Sequence, residues 1–188
     1  VQVFGSIASS LKNAFFHVSS IITTTGYTIA DINVYGSMSK GIFMILMFLG
    51  ACSGSTCGGI KIIRSIIVLK AAKNNSKKVI SQREVAFVKI DGKKIDDSIV
   101  SQTLAFLAIY ICSVVFTTLV IAASGPEFEE SFSVALSSVS NIGAHFTKTP
   151  VSGYAWYAKA VMIFDMLLGR LEVFPVIMLF MPKTWRKI

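Results

Sequence analysis

Apolar and polar positions divide this chain into long apolar runs joined by short polar turns. Residues 7–22 form a modestly apolar run interrupted by serines. A bilayer crossing takes roughly 20 apolar residues, so this run predicts a short re-entrant helix. Residues 41–49 are strongly apolar and residues 60–69 resume the pattern, but the block GACSGSTCGG at 50–59 divides them. Four glycines among small polar residues do not hold a regular helix. Irregular backbone at membrane depth survives only where protein or a water-filled cavity surrounds it. Residues 39–70 therefore predict a broken helix with a loop at its middle. Residues 99–123 carry no charge and predict a transmembrane helix, which Gly125-Pro126 ends. Residues 127–140 predict a second short helix, with Glu127, Glu129 and Glu130 suited to its N-terminus. Residues 154–181 form the last long apolar run. Tyr154, Trp156, Tyr157 and Trp185 lie near its ends, where interfacial aromatics sit.

The order short helix, glycine turn, long helix thus occurs twice, which predicts an internal repeat. Gly26 and Gly143 are the matching centres, 117 residues apart. Ser19-Ser20-Ile21 aligns with Ser137-Ser138-Val139 if one residue is gapped. The second copy is preceded by the helix at 99–123. The first has no such helix before it, so the chain is expected to be part of something longer.

Composition agrees with a membrane setting. Of 188 residues, 53% are hydrophobic and 15% charged, whereas a soluble domain has about 25% charged. The net charge of +8 could serve nucleic acid, but its placement points elsewhere. Ten of the 18 basic residues lie between Lys61 and Lys94, and Lys183, Arg186 and Lys187 lie at the end. Residues 124–153 carry Lys148 as their one lysine or arginine. This is the positive-inside pattern. It predicts a cytoplasmic basic loop at 61–98, a cytoplasmic C-terminus and an external 124–153. The basic loop reads first as an orientation signal and second as a docking surface for an acidic partner; no nucleic-acid partner is expected. Cys52, Cys57 and Cys112 are too few for a disulfide framework and are expected to be small buried residues.

The candidate chemistry is that of cations. Thr24-Thr25-Gly26-Tyr27-Thr28 matches the potassium-channel filter TVGYG at Thr24, Gly26 and Tyr27. Such filters replace an ion's hydration shell with backbone carbonyls. Carbonyls around Thr24, Thr25, Gly26, Asn141, Ile142 and Gly143 are the candidate ligands, the alternative being ordinary turns between helices. The 50–59 block lacks the Gly-Lys-Ser/Thr ending of a phosphate loop. It reads either as close packing through small residues or as a movable segment beneath a filter, with Gly54, Gly58 and Gly59 as its gating residues. Asp165, Arg170 and Glu172 lie within the last apolar run, where charges face an aqueous path or a partner. Arg170 either faces the pore as a barrier to cations or is neutralised by Glu172 or another helix's carboxylate. His17 and His145 are expected to make polar contacts near the filter, not to bind a transition metal. No nucleophile–base pair or metal cluster stands out, so neither an enzyme nor a cofactor is expected.

With these residues in hand, the chain resembles the C-terminal half of a TrkH-type bacterial potassium transporter of the Trk/Ktr/HKT superfamily. The motifs that carry the resemblance are TTTGYTIAD (23–31), GACSGSTCGGIKIIR (50–64), SNIGAHF (140–146) and LLGRLEVFPVIMLFMPKTW (167–185). The family fold implies an all-α membrane protein of four helix–pore-helix–helix units around one pore. Residues 1–98 would hold the end of the third unit and the basic loop, and residues 99–188 the complete fourth. The resemblance further implies potassium uptake across the bacterial inner membrane, a gate at 50–59, and Arg170 projecting toward the pore. It implies a cytosolic nucleotide-binding subunit of the TrkA or KtrA type and a homodimer. The competing class is a secondary carrier of another monovalent cation such as Na⁺, built on broken helices. A carrier predicts a glycine break within the helices of both halves.

Overall fold

The computed structural model describes residues 6–50, 58–80, 89–90 and 93–171. The first half begins with α1 (Ile7–Ile22), whose first turn is capped by the Ser6 hydroxyl accepting the Ser9 N–H. A 3₁₀ turn at Ile32–Val34 leads into α2 (Ser37–Phe48). The broken helix is realised as predicted. After α2, β1 (Leu49–Gly50) lies parallel to β2 (Ile60–Lys61), and α3 (Ile62–Ile80) follows at once. The chain leaves and rejoins side by side. Gly54, Cys52 and Cys57 lie outside the described residues.

The second half is α4 (Asp97–Ala122), α5 (Phe128–Val139), a 3₁₀ turn at Val151–Gly153, and α6 (Trp156–Leu171). Among the described residues α4 is the one helix long and apolar enough to cross a membrane. Its exposed Leu104, Ile111, Val115, Phe116 and Leu119 show an apolar face turned outward, as lipid requires. Glu129 and Glu130 in the first turn of α5 complement its dipole.

Helix α5 is the most enclosed element. Nine of its twelve residues are buried, including all of Ser131, Ser133, Ser137 and Ser138. It separates two cores. One joins Leu136 and Val139 to Ile21, Phe43, Met47, Phe106, Tyr110 and Phe146, and so binds the two halves together. The other sets Val134 and Ala135 against Ile121, Tyr154, Ala158 and Met162.

Four expectations change. Among its described residues the basic stretch 61–98 is not a plain loop: α3 continues to Ile80, and β3 (Lys89–Ile90) pairs antiparallel with β4 (Lys93–Lys94). Lys70 Nζ donates to the Lys89 carbonyl at 2.7 Å, tying this hairpin to α3. Cys112 is exposed on α4 rather than buried. Tyr154 is a core residue, not an interfacial one, because it closes the 3₁₀ turn onto α5. The gapped alignment of the repeat is replaced by an ungapped one, as the turns below establish. Trp185 and Glu172 lie outside the described residues.

Candidate functional site

Both short helices end in the same turn. Thr25 N–H donates to the Ser20 carbonyl at 2.9 Å, and Ile142 N–H to the Ser137 carbonyl at 3.0 Å. Thr24 N–H donates to Ile21, and Asn141 N–H to Ser138, at 3.1 and 3.2 Å. Four residues are left-handed in the matching places: Thr24 (φ 52°) and Gly26 (φ 77°), then Asn141 (φ 54°) and Gly143 (φ 86°). A constant offset of 117 residues relates every pair, so Ser20 is the partner of Ser137. Glycine adopts this conformation freely, and asparagine is enriched in it. A β-branched residue such as Thr24 resists it, at a cost of roughly 1–2 kcal/mol. The same bonds within each turn hold the strained residue.

The two turns touch. A Cβ built on Gly26 would overlap the Ile142 carbonyl oxygen and stand 3.4 Å from the Ala144 nitrogen. Between them opens a cleft of about 230 Å³, bordered by Gly26, Thr28, Asp31, Gly143, Ala144 and His145. The exposed Asp31 carboxylate accepts the Asn33 N–H at 2.9 Å and lends the cleft negative charge. His145 Nδ1 meets the Gly143 carbonyl at 3.1 Å. Partial burial lowers the His145 pKa below the ordinary imidazole range, opposed by the bond to Gly143. A carbonyl oxygen only accepts, so Nδ1–H is the donor in this bond.

Glycines underlie the second turn. A Cβ on Gly58 would overlap the Ser140 carbonyl and lie 3.3 Å from Asn141 Cβ. A Cβ on Gly169 would overlap the Val139 carbonyl and lie 2.6 Å from Asn141 Nδ2. Asn141 Nδ2 in turn donates to the Met166 carbonyl at 3.0 Å. The end of α5 thus rests between the break after α2 and the last described turns of α6. Tyr110 and Ser140 share a buried hydroxyl–hydroxyl bond of 2.6 Å at the same level. Gly59 (φ 75°) turns the chain toward β2. Arg170 follows Gly169 and is exposed in the last turn of α6. Asp165 does not point to Arg170. It is buried, and Thr117 of α4 donates a short hydrogen bond to its carboxylate. His17 is buried too, with Nδ1 2.9 Å from the Tyr35 hydroxyl.

The structure therefore brings Thr24, Thr25, Gly26, Asn141, Ile142 and Gly143 together and sets Gly58 directly beside them. The family model for the TrkH cation transport proteins matches residues 2–187. The chain belongs to the TrkH family. The Trk system potassium uptake protein TrkH of Halomonas elongata is 33% identical over 94% of this chain and 37% of its own length. The TrkG protein of Escherichia coli K12 is likewise 33% identical, over 94% of this chain and 37% of its own. The crystal structure of the potassium transporter TrkH from Vibrio parahaemolyticus superposes with a TM-score of 0.82 at 28% identity, over 97% of this chain and 39% of that one. The chain spans well under half the length of these relatives, and its fold is that of a pore-helix membrane transporter.

Sequence reasoning missed three features of this TrkH-family site. Gly169 was not singled out, although it stands 119 residues after Gly50, the offset that also relates Tyr35 to Tyr154. Asp31 closed a quoted motif without a role. Glu130 reads as a helix N-terminal charge and Ser137 as part of the repeat, with no role for Ser133, yet their spacing of three and four places all three on one helix face.

Proposed function

We propose that this chain supplies the third and fourth units of a potassium-uptake pore in the bacterial inner membrane. Thr24, Thr25, Gly26, Asn141, Ile142 and Gly143 form half of its selectivity filter. Residues 1–98 hold the end of the third unit and 99–188 the fourth. The observation that carries this reading is the pair of turns with matching left-handed residues, in contact at Gly26 and Ile142 and bordering one cleft. Main-chain carbonyls so presented can replace the water around a weakly hydrated monovalent cation without a cofactor. Negative charge at Asp31 favours cations there. The break at 50–59, with Gly54, Gly58 and Gly59, serves as the gate below, and Arg170 adds positive charge on the last helix. A cytosolic TrkA- or KtrA-type subunit controls opening, and two full-length chains pair as a homodimer.

The carrier alternative expects a break in both halves. Both repeated turns instead follow short helices, α1 and α5, which favours the pore. The test is uptake of K⁺ by the full-length transporter in cells stripped of their own K⁺ uptake systems. Growth at low K⁺ is expected, with uptake saturating independently of an imposed Na⁺ gradient. Uptake that tracks the Na⁺ gradient would support the carrier instead.

A further inference from the structure

The segment after Gly143 is fastened to α5 at successive turns. Ser137 Oγ accepts the Gly143 N–H at 3.0 Å. Ser133 Oγ accepts the Phe146 N–H at 2.8 Å. Glu130 Oε1 accepts the Lys148 N–H at 3.0 Å, and the Thr149 hydroxyl donates to its Oε2 at 3.3 Å. The rungs climb α5 as the segment runs outward. All three side chains are buried, with Ser133 fully enclosed, so each rung is costly to lose. On its other edge the same segment is held by the first half of the chain: Asn33 Nδ2 donates to the Thr147 carbonyl at 3.0 Å.

The first turn has no such ladder. At the offset of 117, Asn13, Phe16 and Ser20 stand where Glu130, Ser133 and Ser137 stand. Phe16 has no group to bond a main-chain amide. Ser20 works with the opposite polarity, its hydroxyl donating to the Tyr27 carbonyl at 2.7 Å. Among the described residues it makes the one side-chain bond from α1 to residues 27–31. The Ser137 hydroxyl takes the Gly143 N–H, whereas the matching Gly26 N–H reaches only the Ser20 main-chain carbonyl, at 3.4 Å.

A hydrogen bond to a main-chain amide fixes which way the peptide unit faces, and three in register fix a whole strand. An oxygen ring discriminates between cations of different radius only as far as its oxygens resist collapse onto the smaller ion. We propose that Glu130, Ser133 and Ser137 are positioning residues that lock the Gly143 turn. The second turn thereby sets discrimination between K⁺ and the smaller Na⁺, while the first turn adapts. The proposal rests on the filter assignment above and assigns the two turns unequal work.

The test is the ratio of K⁺ to Na⁺ uptake by the full-length transporter, normalised to membrane-inserted protein. Ser133→Ala and Ser137→Ala should each lower the ratio about fivefold, the factor carried by one hydrogen bond. Ser133→Thr, which keeps the hydroxyl, should restore it. Ser20→Ala should move the ratio less than either. A purely structural role would lower inserted protein and leave the ratio per molecule alone. If Ser133→Ala fails to insert, Ser137→Ala is decisive, because its rung lies at the glycine itself. An unchanged ratio in the ladder variants, with Gly143→Ala altering it, overturns the ladder and keeps the filter. An unchanged ratio in Gly143→Ala as well overturns the filter. A larger effect from Ser20→Ala than from Ser133→Ala overturns the unequal division of work.

Discussion

Replacing Gly26 with alanine is expected to reduce K⁺ uptake more than the same change at Gly143. Two penalties coincide at Gly26. Its φ of 77° lies in the left-handed region, which costs an L-residue roughly 1–2 kcal/mol. The added methyl would also overlap the Ile142 carbonyl oxygen, so one turn must shift against the other. At Gly143 the φ of 86° imposes the first penalty, but no atom lies within 4 Å of the new Cβ. The backbone penalty alone corresponds to about a tenfold effect, and the clash at Gly26 adds to it. Gly143→Asn should recover part of the loss, because asparagine tolerates the left-handed region. Rubidium uptake with graded Na⁺ competition, per inserted molecule, measures all three variants. Equal losses at the two glycines would show that the turns do not bear on each other as described.

Gly169→Ala is expected to have the next largest effect, although Gly169 lies outside both turns. Its methyl would overlap the Val139 carbonyl and crowd Asn141 Nδ2. That threatens the bond from Asn141 to Met166 and with it the left-handed start of the second turn. Overpacking of this kind costs about 1–3 kcal/mol. The transporter should lose thermal stability in detergent and lose ion discrimination together. Gly58→Ala presses the neighbouring Ser140 carbonyl from the other side, so the double variant should be less than additive. Gly41→Ala is the control. It has open space around it within α2, and helix propensity makes it neutral or slightly stabilising. Thermal shift and flux assays on the four variants check the set. A destabilised Gly41→Ala with an unaffected Gly169→Ala would refute the close approach beneath the turn.

The elements were legible because the membrane simplifies the code. The first short helix was read at 7–22 and is observed at Ile7–Ile22, and the run at 99–123 is α4. Both turns could be found because glycine is placed where the backbone must be left-handed. Gly54 and the region from 172 onward lie outside the described residues. The basic stretch was misjudged for a physical reason: Lys and Arg have good helix propensity, and charge alone does not end a helix. Tyr154 was misplaced because an aromatic near the end of an apolar run fits both an interface and a core.

The membrane setting, the broken helix, the repeated turns and the family resemblance are legible in the chain alone, since each is written in local hydropathy or in the chemistry of single residues. The tertiary structure alone decided what those turns rest on. That Gly58 and Gly169 meet the carbonyls ending α5, that Asp165 bonds Thr117 rather than Arg170, and that Ser133 holds Phe146 all depend on which helix faces which. Helical period places a serine on a face, but only packing places a main-chain amide opposite it. A buried hydroxyl must find such a partner, and the fold decides which one.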